Sequence, residues 1–312
     1  MPSIAVLFPG QGAQSVGMGR EVAQVDPRAR AIYARASAIL GFDLAKICFE
    51  GPAEALEQTD IQQPAIFVTS IAIWEAWREG PGAGEAFTHS GGLSLGEYTA
   101  LCAAGAMTFE EGLRLVRRRG ELMQLAAKEN PSGMVSLVGA DQAIAVALCD
   151  RARRDDVLAP ANFNCPGQVV IAGSKPACER AVAAAAEVGC RAVPLAVAGA
   201  FHTTLMASAA EGLAPILTET KLQRPRLRVI ANVDAEYHSD AGAMRASLTR
   251  QVTQPVLWQR CIERMVADGV ERFVEIGPGR VLTGLMRKIN RAIPCRNIGA
   301  AEAIGAAAEA RG

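Results

Sequence analysis

The sequence has few histidines, no excess of either charge and no long apolar run. Three histidines occur in 312 residues, and the eight cysteines include no Cys-x-x-Cys pair, which argues against a zinc site and a disulfide framework. The 32 basic residues balance 32 acidic ones, so no overall field favours nucleic acid or a membrane surface. No run reaches the ~18 apolar residues of a membrane span, and the N-terminus lacks a signal-peptide pattern. We expect a cytoplasmic protein that binds no metal, nucleic acid or membrane.

Apolar segments of strand length alternate with helical patterns through most of the chain. Half of the residues are hydrophobic, which is ample for a buried core, and the length is typical of about two domains of ~150 residues. Alternation of this kind predicts a parallel sheet covered by helices on both faces. The strands are expected at 4–8, 227–230 and 272–276, and the helices at 20–39, 65–79, 95–106 and 109–127.

A second, smaller unit is predicted after a break at residues 129–133. The elements there shorten and follow the order βαββαβ, which is typical of a ferredoxin-like unit. They are expected at 134–138, 141–152, 157–162, 168–172, 175–188 and 191–196. We therefore predict an α/β fold: an α/β-hydrolase-like, parallel-sheet catalytic domain formed by 1–130 and 197–312, with an inserted ferredoxin-like domain at 131–196.

A serine occurs in the pattern Gly-x-Ser-x-Gly at residues 92–96. The glycines suit a sharp turn from a strand into a helix, because they keep Cβ atoms out of a tight backbone crossing. Ser94 would then stand exposed at the positive end of the following helix, where an oxyanion would be stabilised. The pattern alone is common, and it predicts a nucleophile only if partner residues exist.

Three histidines are candidates for the base that such a serine needs. His89 lies five residues earlier on the incoming strand, about 16 Å away at ~3.3 Å per residue, and is expected at the surface or satisfied elsewhere. His238 lies in a polar stretch typical of a solvated loop. His202 follows an aromatic residue, a setting that is more often structural, but eliminating the other two favours it as the base.

An arginine is predicted to be buried on the helix that begins after Thr108. Thr108 and Glu111 form a capping-box pattern, and Arg119 then falls within the apolar face of the helix. A buried guanidinium is costly unless an anion meets it. A structural salt bridge and a clamp for an anionic substrate both satisfy this requirement, and the pattern leaves both open.

The turn after the first strand contains Gly-x-Gly at residues 10–12. A dinucleotide-binding loop would need a third glycine where Ser15 stands, so that interpretation is rejected. The turn could donate backbone N–H groups to an oxyanion, or it could be an ordinary tight turn.

Together these motifs resemble the malonyl-CoA:acyl-carrier-protein transacylases, the acyltransferases of fatty acid synthesis. The resemblance extends over nearly the whole chain, and the motifs follow the order and spacing of the family. They lie at 8–14, 63–65, 92–98, 119–124, 162–168, 199–203 and 275–279. The tetrapeptide 199–202 also resembles the form found in malonyl-selective members.

The resemblance implies a role for each matching residue. Ser94 would be the nucleophile and His202 its general base, with the main-chain carbonyl of Gln251 orienting the imidazole in place of an aspartate. The backbone amides of Gln11 and Leu95 would form the oxyanion hole.

The resemblance also implies how the acyl group is held. Arg119 would pair with the free carboxylate of the malonyl group, and Gln63 and Asn162 would help to place the substrate. One departure concerns Leu93, since the family usually has histidine directly before the nucleophile; it could change acyl selectivity. The incoming strand at 86–91 is also more polar than a buried strand normally is.

The implied substrate is malonyl-CoA, with no tightly bound cofactor, and the implied partner is holo acyl carrier protein. We expect a monomer that transfers the group by a ping-pong route. Because carrier proteins are acidic, Arg287, Lys288 and Arg291 are a candidate docking patch, although a solvated helix face explains them equally well.

Several alternatives remain at this point. The chain could be a trans-acting malonyl transferase of a polyketide pathway or the acyltransferase domain of a modular synthase. The chain starts almost at its first strand and ends soon after its last motif, which favours a stand-alone enzyme. A serine esterase would want an acid between nucleophile and histidine, and would not need Arg119. A non-catalytic carrier-protein binder would not need Ser94, His202 and Arg119 together.

Overall fold

The computed structural model describes residues 3–305. Its strands are β1 (Ser3–Phe8), β2 (Phe87–Gly92), β3 (Ser132–Val138), β4 (Leu158–Cys165), β5 (Gln168–Ser174), β6 (Arg191–Pro194), β7 (Arg228–Val229), β8 (Val270–Ile276) and β9 (Cys295–Ile298). Its α-helices are α1 (Arg20–Val25), α2 (Pro27–Leu40), α3 (Leu44–Glu50), α4 (Ala53–Glu57), α5 (Thr59–Arg78), α6 (Leu95–Ala103), α7 (Phe109–Glu129), α8 (Gln142–Arg153), α9 (Lys175–Ala184), α10 (Ala207–Glu219), α11 (Ala241–Gln251), α12 (Trp258–Ala267), α13 (Val281–Ile289) and α14 (Glu302–Gly305).

The larger sheet is parallel and has the strand order β7-β2-β1-β8-β9. Its central strand β1 is apolar because both of its faces are covered. Val6 and Phe8 pack into one hydrophobic cluster, and Ala5 and Leu7 pack into another. The strand therefore holds two helical layers together, as the alternating pattern predicted.

Strand β2 is polar in sequence and yet lies beside β1, with its last four residues buried. Its glycines explain this arrangement. A Cβ at Gly91 would lie 3.0 Å from Ile230 and 3.2 Å from Met265, so apolar groups of neighbouring segments approach the strand closely where side chains are missing. Packing around β2 comes from its neighbours rather than from the strand itself.

The smaller sheet is antiparallel and has the order β4-β5-β3-β6. Helices α8 and α9 pack against it, and the unit has its own hydrophobic cluster around Leu137, Leu148 and Ile171. The order of elements and the strand order are those of a ferredoxin-like unit. The predicted α/β fold with a second, ferredoxin-like unit is confirmed.

Several element boundaries differ from the prediction. The helix expected at 20–39 is divided into α1 and α2, because the Asp26 side chain accepts hydrogen bonds from the first turn of α2 and Pro27 occupies its first position. Helix α5 begins at Thr59 rather than at 65, with Pro64 inside it. Helix α6 ends at Ala103, just before Gly105 at φ 75°.

Two further features concern the environment of the chain. No helix among residues 3–305 is both long and apolar enough to cross a membrane. All eight cysteines are free thiols, and six of them are buried. Burial raises the pKa of each thiol.

Candidate active site

Ser94 lies at the sharp turn between β2 and α6, with φ 52° and ψ −104°. The two glycines of the motif make this turn possible. A Cβ at Gly92 would lie 2.1 Å from the backbone of Gly96, and a Cβ at Gly96 would lie 2.1 Å from the carbonyl oxygen of Phe8. No larger residue fits either position without moving backbone, so the elbow depends on both glycines.

The hydroxyl of Ser94 is paired with a histidine from a distant part of the chain. Ser94 Oγ lies 2.9 Å from His202 Nε2, and His202 Nδ1 lies 2.6 Å from the backbone oxygen of Gln251. Since a carbonyl only accepts, Nδ1 carries the proton and Nε2 is free to accept one from Ser94. The arrangement is a Ser–His pair oriented by a main-chain carbonyl.

The imidazole of His202 is buried beside a cation. Burial, and to a smaller extent the nearby Arg119 guanidinium, lower the pKa of His202 to about 4. The ring is therefore neutral near pH 7 and available to accept a proton.

Arg119 is fully buried on α7, next to Ser94. Its Nη2 donates to Ser94 Oγ at 3.1 Å and to Gln251 Oε1 at 3.0 Å, while Nη1 donates to Gln63 Oε1 at 2.8 Å. The guanidinium carbon also lies 5.1 Å from the centre of the Tyr98 ring. All of these partners are neutral.

No carboxylate of residues 3–305 forms an ion pair with Arg119. Burial lowers the pKa of this guanidinium, as expected for a cation without a counter-ion. The structural salt bridge that the sequence left open is therefore absent from this part of the chain. A buried, unneutralised cation beside a nucleophile is suited to bind an anionic substrate group.

The turn after β1 packs against the serine elbow. A Cβ at Gly10 would lie 2.2 Å from the backbone oxygen of Leu93, so the segment leading to Gln11 adjoins Ser94. The Gln11 side chain bonds to Gln62, and its Oε1 accepts from Gln63 Nε2 at 3.4 Å. Leu95 is the first residue of α6, so its N–H has no partner within the helix.

A cavity of roughly 170 Å³ opens onto Ser94 and His202 between the two sheets. Met134 of β3 and Val170 of β5 give it an apolar lining, while Asn162 of β4 and Gln168 at the start of β5 add polar groups. Backbone hydrogen bonds on both sides of Asn162 tie β4 to Val256 in the larger unit, at 2.9 Å each. The small unit thus forms one wall of the cavity, and Asn162 is fixed within it.

A model of the acyl transferase domain family matches residues 6–307. The malonyl CoA-acyl carrier protein transacylase of Salmonella typhimurium is 44% identical over 93% of this chain and 93% of its own length.

The chain belongs to the malonyl-CoA:acyl-carrier-protein transacylase family.

Solved structures of this transacylase family are similar over almost the whole chain. The enzyme of Xanthomonas oryzae pv. oryzae is 39% identical, with a TM-score of 0.94 over 99% of this chain and 98% of its own. A malonyl-transacylase in complex with a type II polyketide acyl carrier protein is 40% identical, with a TM-score of 0.94 over 99% of both chains.

Leu93, which replaces the usual histidine of transacylases, lies half-buried at the cavity. It packs against the cluster that contains Leu282 and Leu285, and its side chain makes no polar contact with the Ser–His pair. The hydrogen bonds that join Ser94, His202 and the Gln251 carbonyl therefore form without it.

Sequence reasoning missed two residues around the elbow, Asn232 and Glu97, and misplaced a third, His238. The prediction that His238 lies in a solvated loop is wrong: it is buried, and its Nε2 lies 2.9 Å from Glu97 Oε1. Asn232 bonds the backbone leading into Ser94, accepting from the Ser94 N–H at 2.6 Å and donating to Gly92 O at 2.9 Å. His89, expected at the surface or satisfied elsewhere, is buried, and its Nδ1 lies 2.8 Å from Thr88 Oγ1. Only Glu97, directly after the elbow motif, offered a signal in the sequence.

Proposed function

We propose that this chain transfers the malonyl group from malonyl-CoA to the phosphopantetheine thiol of acyl carrier protein through a malonyl-Ser94 intermediate. The position of Arg119 carries the proposal. A malonyl thioester has a carboxylate one carbon away from the carbonyl that Ser94 attacks. Arg119, buried and without a counter-ion, donates to Ser94 Oγ at 3.1 Å, and can meet that carboxylate with both arms of its planar fork.

In the first half-reaction His202 Nε2 accepts the proton of Ser94 while Oγ attacks the thioester carbonyl. The oxyanion that forms is stabilised by the N–H groups of Gln11 and Leu95, the latter at the start of α6. The carbon–sulfur bond then breaks, and the CoA sulfur leaves with the proton held by His202. Gln63 holds one arm of Arg119, and Asn162 faces the acyl cavity.

In the second half-reaction the carrier's thiol gives its proton to His202 and attacks malonyl-Ser94. The tetrahedral intermediate collapses, and Ser94 Oγ takes the proton back from His202. The product is a malonyl thioester of the carrier, and the reaction uses no cofactor or metal. The apolar cavity wall favours transfer over hydrolysis because it leaves water few polar partners.

The carrier-protein partner is supported by the similar transacylase that was solved in complex with a carrier. Arg287 and Lys288 are exposed on α13, the helix whose Val281 and Leu285 line the cavity. Lys288 Nζ lies 3.4 Å from Gln168 Oε1 at the same cavity. The predicted basic patch, which also includes Arg291, is therefore close to the path that a phosphopantetheine arm would follow.

The pathway and setting are also proposals. We assign the enzyme to fatty acid synthesis, in line with its curated relatives, as a cytoplasmic monomer; its eight free thiols suit a reducing compartment. Service to a polyketide carrier is the second candidate, because the relative in the carrier complex belongs to such a system.

Intact-protein mass spectrometry tests the proposal directly. The protein is mixed briefly with malonyl-CoA, and holo carrier protein is then added. We expect a gain of one malonyl group that moves to the carrier, and no gain in Ser94→Ala. A group lost only to water would indicate a hydrolase, and an adduct that persists in Ser94→Ala would exclude Ser94 as the nucleophile.

A further inference from the structure

A buried carboxylate lies behind the catalytic groups without contacting substrate or the reacting atoms. Glu97 is the third residue of α6 and is fully buried. Its Oε1 accepts from His238 Nε2 at 2.9 Å, and its Oε2 accepts from Gln251 Nε2 at 2.7 Å and from the Asn232 backbone N–H at 2.9 Å. Three donors thus converge on one carboxylate at a helix N-terminus, where negative charge is favoured.

Gln251 links this carboxylate to the active site. Its Nε2 donates to Glu97 Oε2 and also to the Ser94 backbone oxygen at 3.1 Å. Its Oε1 accepts from Arg119 Nη2 at 3.0 Å, and its backbone oxygen accepts from His202 Nδ1 at 2.6 Å. One buried glutamine therefore contacts the base, the cation and the nucleophile's backbone.

The orientation of the Gln251 amide decides whether this arrangement can form. If the amide were turned over, an N–H₂ group would face the N–H of Arg119, and two donors would oppose each other. An ionised carboxylate only accepts, so Glu97 selects the orientation in which Nε2 faces it and Oε1 faces Arg119. His238 supplies the other donor that this buried carboxylate needs.

We propose that Glu97, held by His238, is a positioning residue that orients the Gln251 amide and thereby sets Arg119 and His202 for the reaction. The inference rests on the proposed function, since it assigns Arg119 to the acyl carboxylate and His202 to proton transfer. The proposal also predicts which acyl groups lose most activity. Loss of Glu97 disturbs the Arg119 contact directly, through Oε1, and the His202 contact only through the main chain of Gln251. Transfer of a carboxylate-bearing acyl group should therefore suffer more than transfer of a neutral one.

The first experiment compares Glu97→Gln with the unchanged protein. The initial rate of Ser94 labelling is measured with malonyl-CoA, with acetyl-CoA and with a fluorophosphonate, which reports on the Ser94–His202 pair alone. We expect malonyl labelling to fall on the order of 10²-fold, as for small misplacements of a catalytic group, and acetyl and fluorophosphonate labelling to fall much less. The folded fraction is checked by circular dichroism, and an equal fall in all three rates in folded protein would overturn the proposal.

His238 provides a second test in case Glu97→Gln does not fold. His238→Leu removes one donor from Glu97 and should narrow the preference for malonyl over acetyl, whereas His238→Gln keeps a donor and should restore it. Glu236→Gln, an exposed carboxylate two residues away, is the matched control and should match the unchanged protein. Unaltered preference in His238→Leu would contradict the role of His238.

A double variant identifies the route. In an Arg119→Ala background, Glu97→Gln should no longer change the ratio of malonyl to acetyl labelling, because that effect passes through Arg119. A full further change would show that Glu97 acts elsewhere. If the unchanged protein reacts with the fluorophosphonate but not with malonyl-CoA, the proposed function fails, and the fluorophosphonate rates still report whether Glu97 positions His202.

Discussion

The two sheets contribute different parts of the active site. The unit with the parallel sheet supplies Ser94, Arg119, His202 and Gln251, all of them buried, whereas the antiparallel unit supplies Asn162 and an apolar wall. In a parallel sheet the carboxyl ends of β1 and β2 meet at one edge, where helix N-termini and loops gather polar groups. The small sheet instead presents one face to a cavity. We expect the first region to govern reactivity and recognition of the acyl carboxylate, and the second to govern the fit of the rest of the substrate.

Removal of the proposed base in the first region should lower activity more than any other change. We expect His202→Ala to slow malonyl labelling of Ser94 by 10²–10⁴-fold, the usual contribution of a general base, with little change in binding of malonyl-CoA. Stopped-flow or quenched labelling with malonyl-CoA measures the rate. A variant that labels at the normal rate would exclude proton transfer by His202.

Removal of the cation should affect acyl groups selectively. Arg119→Ala should weaken transition-state binding of malonyl by about 2–5 kcal/mol, the range for a desolvated ion pair, while acetyl transfer is spared or improved. The measurement is kcat/KM for both thioesters. Equal losses for malonyl and acetyl would contradict the carboxylate clamp.

A substitution in the small unit should mainly weaken the binding of malonyl-CoA. Asn162→Ala removes one neutral hydrogen-bonding group from the cavity and should raise KM by roughly 2- to 12-fold, with kcat almost unchanged. Steady-state kinetics with malonyl-CoA measures KM and kcat. A large fall in kcat without a rise in KM would break the division between reactivity and fit.

The basic residues of α13, which lie beside the small unit, should have a smaller effect. The double charge reversal Arg287→Glu and Lys288→Glu should weaken binding of holo carrier protein by roughly three- to tenfold and make it less sensitive to salt. Titration of the carrier at two ionic strengths measures this change, and malonyl labelling of Ser94 is followed alongside to separate the carrier from the acyl site. Unchanged affinity would count against the patch.

The smallest effect concerns pH. Because the pKa of His202 is lowered to about 4, malonyl labelling should be half-maximal near pH 4 and constant above about pH 6. The unfolded imidazole, with a pKa near 6.5, binds its proton first, so this residue's contribution to stability is also lost as pH falls from about 6.5 to 4. In Arg119→Ala the midpoint should rise, since one cause of the shift is gone. A midpoint near 6.5 in the unchanged protein would show an exposed imidazole.

Local sequence patterns predicted the parts of the fold that depend on local geometry. The capping box at Thr108 and Glu111 forms both of its hydrogen bonds, and the order of elements after residue 131 led directly to the ferredoxin-like unit. The helix boundary at Asp26 was missed because the pattern of apolar residues continues across it. A one-residue cap interrupts a helix without changing its periodicity.

Long-range polar contacts were the hardest part to predict. His202 and Asn232, which bond Ser94, and His238, which bonds Glu97, lie more than 100 residues away from these partners in the chain, and no spacing rule connects them. A polar composition around His238 indicated solvent, yet the fold brings it against a buried carboxylate. Asn232 follows β7, which was predicted at 227–230, but nothing in the sequence indicated that its side chain reaches the Ser94 N–H. Residue types predict that buried polar groups need hydrogen-bond partners, but the tertiary structure determines which residues those partners are.

The burial of the cysteines has a consequence for an enzyme that handles activated thioesters. A reactive thiol on its own surface would compete with the carrier for acyl groups and become acylated off pathway. Burial raises the pKa of Cys48, Cys102 and Cys149 to about 12, and that of Cys295 to about 11, so their thiolate populations are negligible at neutral pH. Among residues 3–305, these four thiols therefore compete little with the incoming phosphopantetheine thiol for the acyl group.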